Sequence, residues 1–157
     1  MVNKLELLWT LAVIGLITGV AVYSSFLYYN LGALPTNPEE YVEVIGHQWY
    51  WEFCYGNGSC FNSSYSPPSG SGSLGSVSGG ALWAPAGATI QLNITSADVV
   101  HSLNIPSLGV RLDAIPGRMN HIAFTVPDVA PGTMYLIQCT EFCGQGHGIM
   151  RSFLVVT

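Results

Sequence analysis

The longest apolar pattern in the chain lies at its start. From Leu7 to Asn37 no residue carries a charge, and Leu7–Tyr29 reads LLWTLAVIGLITGVAVYSSFLYY. As a helix, those 23 residues span about 35 Å, enough to cross a hydrocarbon core about 30 Å thick. Trp9 near one end and Tyr23, Tyr28 and Tyr29 near the other fit two interfacial aromatic belts. The run is longer than the apolar region of a cleavable signal peptide, so an uncleaved membrane anchor over residues 1–30 is expected. Lys4 is the only base before the span. The positive-inside tendency therefore places the N-terminus in the cytoplasm and the rest of the chain outside a plasma or equivalent respiratory membrane.

Beyond the anchor the pattern changes. Residues 31–40 (LGALPTNPEE) read as a linker, and an apolar and aromatic stretch follows at 41–55, YVEVIGHQWYWEFCY. In residues 56–80, Gly, Ser and Pro fill 18 of 25 positions; so little apolar surface cannot offset ordering entropy, and an exposed loop is expected. Thr89–Thr95 (TIQLNIT) then alternates strictly, as a strand with one wet face does. His121–Val126, Thr133–Cys139 and Ile149–Val156 are further β-branched or aromatic runs, separated by turns at 85–87, 116–117, 127–128 and 131–132. Short strands with regular turns and no amphipathic helix predict a mainly β fold, a Greek-key β-sandwich or barrel over 41–157 interrupted by a Gly/Ser-rich insertion.

Composition narrows the function. Charged residues make up 8% of the chain, with four bases against nine acids and a net charge of −5; a soluble domain carries about 25%. Intrinsic disorder is excluded because it needs high charge and few apolar groups. Nucleic acid is excluded because phosphate binding needs a dense basic surface.

Candidate chemistry concentrates at 139–150, where Cys139, Glu141, Cys143, His147 and Met150 share a loop with Gly144, Gly146 and Gly148, and His101 ends an upstream strand. Thiolate, imidazole and thioether together are the donors of copper electron-transfer sites. One Cys would make a mononuclear blue-copper site; the second allows two thiolates to bridge two coppers. Two plainer readings stand beside this: a structural zinc held by Cys139, Cys143, His147 and His101, or a disulfide in an oxidising exterior. Met150 favours copper.

Four blocks, Gly46-His-Gln-Trp-Tyr-Trp51, Asp98-Val-Val-His101-Ser, Pro106–Asn120 (PSLGVRLDAIPGRMN) and the Cys139–Met150 loop, resemble subunit II of the haem–copper oxygen reductases, the cytochrome c oxidase type. The resemblance implies a cupredoxin fold with a dinuclear copper centre, CuA. Cys139 and Cys143 would bridge the ions, His101 and Met150 would complete one, and His147 with the backbone carbonyl of Glu141 the other. The Glu141 carboxylate would reach a magnesium ion at the interface with the catalytic subunit. Trp49 would be the surface indole through which electrons arrive, the alternative being a core Trp; in a strand, Trp49 and Trp51 would face away from Tyr50. Asp113 and Arg118 would face haem-containing subunit I, or form a structural salt bridge. The implied function is to accept electrons from an external protein, a cytochrome c or small blue-copper protein, and to pass them to haem in subunit I for reduction of oxygen to water. A membrane-tethered copper-delivery protein and a copper domain of the nitrous oxide reductase type are the alternatives.

Relatives in this family commonly carry two helices before the domain, and this chain has one apolar run. Glu6, just ahead of it, reads either as the start of a proton path or as an ordinary interfacial carboxylate. His47 and His121 lack spaced partner ligands and read as structural. Cys54 and Cys60, with five residues between them around Gly56-Asn57-Gly58, would close a disulfide outside the cell or remain free thiols. Asn57-Gly-Ser59, Asn62-Ser-Ser64 and Asn93-Ile-Thr95 match the N-glycosylation sequon. Low charge and possible surface glycans would suit an archaeal membrane. Few carboxylates remain for steering a Lys-rich cytochrome c, mainly Glu39, Glu40, Glu43 and Glu52.

Overall fold

The structure is a computed structural model and describes residues 3–31, 34–66, 76–77 and 80–157. It divides into two compact units, residues 1–33 and 34–157. The first is one helix, α1 (Lys4–Leu31), of 28 residues, about 42 Å long. Its start is capped: Asn3 Oδ1 accepts the Leu5 N–H at 3.1 Å, and the Glu6 carboxylate accepts the Asn3 N–H at 3.4 Å, the reciprocal pair of a capping box. Glu6 therefore has a local role in starting the helix. Three of its polar side chains are satisfied within the helix: Thr10 Oγ1 donates to the Glu6 carbonyl, Ser25 Oγ to Ala21 and Asn30 Nδ2 to Phe26. A helix apolar on every side with its polar groups turned back onto its own backbone meets the requirements of hydrocarbon.

The second unit is a two-sheet sandwich. In chain order its strands are β1 (Glu40–His47), β2 (Tyr50–Tyr55), β3 (Cys60–Asn62), β4 (Tyr65–Ser66), β5 (Ser76–Val77), β6 (Leu82–Ala84) and β7 (Thr89–Ser96). Then come β8 (His101–Ile105), β9 (Val110–Ala114), β10 (Asn120–Thr125), β11 (Met134–Cys139) and β12 (Arg151–Val156). One sheet has the order β10-β7-β1-β2-β3 and the other β6-β12-β11-β8-β9; β4 and β5 pair as a small ribbon. Parallel pairs β1–β7 and β6–β12 lie among otherwise antiparallel neighbours, which a chain crossing between sheets requires.

Alternation builds the core. Val42 and Val44 of β1, Trp51 and Phe53 of β2, and Ile90, Leu92 and Ile94 of β7 point inward. They meet Leu103, Ile105, Ile137 and Leu154 from the other sheet. The alternating run Thr89–Thr95 is thus a central strand with its apolar face inward.

The described part of 56–80 departs from the expected loop. β2 and β3 form a hairpin in which Cys54 and Cys60 are joined by a disulfide. Buried Ser63 accepts the Trp51 N–H through Oγ and donates its own N–H to the Trp51 carbonyl. Tyr65 packs on a second small core of Ala81, Phe153 and Val155. A few aromatic and small side chains suffice because the outer face of an existing sheet supplies the other half of the contact. Residues 67–75 and 78–79 of that segment lie outside the described residues.

Gly46 has a packing reason. A Cβ there would sit 2.8 Å from His101 Cδ2 and 3.3 Å from Trp51 Cζ3, both rings fixed in the core. Gly46→Ala is expected to cost about 1–3 kcal/mol through overpacking and to displace the His101 ring. Thermal unfolding of the variant checks this, and an unchanged midpoint contradicts it.

Candidate metal centre

The centre forms where β8 begins and β11 ends. Cys139 lies opposite Leu103 in the β8–β11 ladder, so His101, two residues before Leu103, stands beside the loop after Cys139. That loop is pinned at both ends: Cys139 N–H donates to the Met150 carbonyl at 3.1 Å, and Thr140 N–H to the Ser102 carbonyl at 2.9 Å. A short 3-10 turn, His147–Ile149, brings His147 and Met150 to the same side.

Six donors converge. The sulfurs of Cys139 and Cys143, both free thiols, are 3.8 Å apart, far beyond a disulfide bond of about 2.05 Å. His101 Nδ1 is 3.9 Å from the Cys139 sulfur, His147 Nδ1 is 3.6 Å from the Cys143 sulfur, and Met150 Sδ is 3.8 Å from the same sulfur. The Glu141 carbonyl oxygen lies 3.2 Å from the Cys139 sulfur. A first-row ion holding two donors at about 2.0–2.3 Å in a tetrahedral angle keeps them roughly 3.3–3.8 Å apart, so these spacings suit metal between the donors. One tetrahedral ion uses four ligands; six are gathered here, among them a fully buried thioether, a donor suited to copper. His101 is fully buried and both cysteines nearly so. A cavity of about 240 Å³, lined by Gln138, Cys139, Thr140, His147, Gly148, Met150 and Arg151, opens beside them.

The thiols are unequal. Burial raises the Cys139 pKa, but hydrogen bonds from His101, the Ser102 and Glu141 backbone and His147 outweigh it and hold the group down at about 6. Burial and the adjacent Cys139 charge push Cys143 up to about 12. Metal ligation needs both sulfurs as thiolates, so an ion placed between them would displace the Cys143 proton.

Asp98 sets the imidazole. Its carboxylate Oδ1 lies 2.8 Å from His101 Nε2 and accepts the Val99 N–H at 2.6 Å, while Oδ2 accepts the Gln48 N–H at 2.7 Å. Burial raises the Asp98 pKa, but the His101 hydrogen bond and these backbone donors outweigh it, so the carboxyl titrates below its ordinary value. With Nε2 engaged by a carboxylate, Nδ1 is left to face Cys139, the outer-sphere arrangement that fixes a ligating histidine.

Gln48 and Trp49 clamp the loop from the other sheet. Gln48 Nε2 and the Trp49 indole N–H both donate to the Cys143 carbonyl, at 2.7 and 3.1 Å. The indole lies so close on Gly146 that a Cβ there would fall 2.4 Å from Trp49 Cδ2. Trp49 is 37% exposed, whereas Trp51 is fully buried and meets His101 edge-on at 5.9 Å. The face alternation expected of Trp49-Tyr50-Trp51 fails because β2 begins at Tyr50 and Trp49 belongs to the turn before it.

The remaining candidates lie apart from the donors. Asp113 and Arg118 are both exposed and form no ion pair with each other among the described residues. The exposed Glu141 carboxylate stands outside the His101–Cys139–Cys143 group. His47 bonds Glu52 at 3.1 Å and stacks on Tyr50, and exposed His121 bonds Asn93 at 2.8 Å. The role of Gln48 gave no sequence signal, since its partner is 95 residues away; Asp98, three residues before His101, was the more legible.

Asp98→Ala is expected to weaken metal binding about 10–100-fold with the sheet content unchanged, and Asp98→Asn to restore part of the loss. Titration against a competing chelator, with circular dichroism alongside, measures both; full affinity in the alanine variant contradicts the positioning role.

Comparison with known proteins agrees with this geometry. Residues 41–156 match the family described as cytochrome C oxidase subunit II, periplasmic domain. Cytochrome c oxidase subunit 2 of Oenothera berteroana is 34% identical over 161 residues, covering 94% of this chain and 60% of the relative; the chain thus spans about three fifths of that relative's length. The crystal structure of the periplasmic domain of subunit II (CoxB) of Bradyrhizobium japonicum superposes with a TM-score of 0.70 at 29% identity, over 79% of this chain and 88% of that one. A cryo-EM structure of a haem–copper terminal oxidase dimer matches 99% of this chain and all of its own matched chain at a TM-score of 0.59; at 23% identity it supports the fold alone. With the β-sandwich, the single apolar helix and the cysteine–histidine–methionine cluster already in place, the family match over 41–156 is decisive: the chain belongs to the cytochrome c oxidase subunit II family.

Proposed function

We propose that this chain is the electron-accepting subunit of a membrane-anchored haem–copper oxidase, holding a dinuclear copper centre on the outer side of the membrane. Cys139 and Cys143 would bridge the ions, with His101 and Met150 on one and His147 and the Glu141 carbonyl on the other. When bound, the copper pair supplies one-electron exchange with the charge shared over two ions, so bond lengths change little. The protein's part is to hold the donors still and dry. Asp98 fixes His101, the Gln48 and Trp49 hydrogen bonds fix the Cys143 peptide, and burial of His101, Cys143 and Met150 excludes water. Trp49, part exposed and hydrogen-bonded to the Cys143 carbonyl, offers a short covalent and hydrogen-bonded route from the surface to a ligand sulfur. A cytochrome c or small blue-copper protein would dock there as donor, and haem in subunit I would receive the electrons for oxygen reduction. Asp113, Arg118 and the Glu141 carboxylate would serve that second interface, the last through magnesium.

One observation carries the reading. Two thiols, two imidazoles, a thioether and a carbonyl oxygen lie within 3.9 Å of one or the other cysteine sulfur, two more donors than the four a single tetrahedral ion uses. Copper-loaded full chain is expected to bind two ions and to show a seven-line hyperfine EPR pattern, the signature of one electron on two equivalent nuclei. Cys143→Ser should lose that pattern. A single ion with four lines, or preferential zinc, overturns the proposal. Trp49→Phe is expected to slow reduction by the donor several-fold at unchanged copper content, read by stopped-flow; an unaltered rate removes Trp49 from the path.

A further inference from the structure

Of the three sequons, the sequence places Asn57 and Asn62 in the Gly/Ser-rich segment, where a glycan is tolerated, and the structure separates these two and Asn93 further. Asn93 lies in β7 with strands on both sides, opposite Glu43 of β1 and His121 of β10. Its Oδ1 is engaged by Gln91 Nε2 at 2.9 Å and His121 Nδ1 at 2.8 Å, which ties the carboxamide to the neighbouring strands. Asn62 is exposed, but its backbone is committed to β3, opposite Glu52, and its carbonyl accepts the Gly80 N–H. Asn57 differs from both. It sits exposed at the tip of the β2–β3 hairpin, in a turn where Gly58 has φ +84° and its N–H donates to the Tyr55 carbonyl. Asn57 Oδ1 accepts the Ser59 N–H at 2.9 Å, an Asx turn that holds the carboxamide away from the strands. Its Nδ2 has no protein partner among the described residues.

The surroundings add a second reason. At the hairpin base Tyr55 meets Phe61 edge-on at 6.2 Å and exchanges hydrogen bonds with the Trp83 backbone. Phe61, on edge strand β3, is about half exposed, in a chain with few charges to keep that edge solvated. Aromatic rings of this kind stack on the C–H faces of sugars. The tip is also the far end of β2 from Trp49, about 17 Å along the strand, so a bulky group there leaves the metal end uncovered.

We propose that Asn57 carries an N-linked glycan, whose inner sugars cover the exposed edge at Phe61. In the transfer, Asn57 Nδ2 attacks the anomeric carbon of a lipid-phosphate-linked oligosaccharide. The Nδ2–C1 bond forms, the C1–O bond to phosphate breaks, the lipid phosphate departs with the electron pair, and the amide proton goes to a base of the transferase. The proposal rests on the outer-side placement of the domain, because such transferases act on that face.

Two measurements separate the parts. In vitro, the folded full chain with an oligosaccharyltransferase and a lipid-linked oligosaccharide is expected to gain one glycan, seen as an intact-mass increase; Asn57→Gln should abolish it and Asn93→Gln leave it unchanged. Absence of the gain, or its persistence in Asn57→Gln, overturns the site. Glycopeptide mass spectrometry of the chain from its own membranes is expected to find Asn57 occupied and Asn93 bare. A bare Asn57 there, after success in vitro, overturns the proposal for the cell and points to the wrong side or a missing transferase. The copper EPR spectrum of Asn57→Gln stays that of the parent chain, so neither failure is confused with failure of the metal reading.

Discussion

The β1–β2 turn is the constraint on which the rest of the site depends. Gln48 gives its backbone N–H to Asp98 and its side-chain amide to the Cys143 carbonyl, and Trp49 adds the indole N–H to that same oxygen. Asp98 in turn holds His101. One short turn of the first sheet therefore grips both arms of the cluster, which otherwise belong to the second sheet. The loop 140–150 contains three glycines and a 3-10 turn; without the clamp it would have many conformations to lose on binding metal. Ligands held by packed sheets and outer hydrogen bonds need little movement when charge changes, which is what one-electron exchange requires.

The electrostatics of the pair follow from the same packing. Two nearly buried thiols in contact cannot both ionise cheaply, and the split between a lowered Cys139 and a raised Cys143 is the consequence. The imidazole and backbone donors converge on Cys139, so the first charge settles there. A cation held between the two sulfurs would offset that repulsion.

Much of the candidate site was readable because ligand chemistry is written in residue type and spacing. Cys139, Cys143, His147 and Met150 fall within 12 residues, and a loop that short brings them together on almost any scaffold. Strict alternation likewise marked Thr89–Thr95 as a half-buried strand. The Gly/Ser-rich segment misled, because composition measures what a segment can bury by itself. It says nothing of a sheet face waiting to be covered, as Tyr65 covers the face carrying Phe153 and Val155. The aromatic triplet misled for a related reason: period-2 reasoning holds within a strand, and β2 starts one residue later than the pattern suggested.

The sequence by itself determined the apolar span, the β-rich body, the donor set and the family resemblance, since each follows from local residue chemistry or from short blocks in order. Tertiary structure alone decided which nitrogen of His101 faces sulfur, that Trp49 is a surface clamp while Trp51 is core, and that Gly46 must lack a side chain. Each of these depends on atoms from segments roughly 30 to 95 residues apart being packed within a few ångströms. Contacts of that kind are properties of the sandwich's register and crossovers, and no local pattern encodes them.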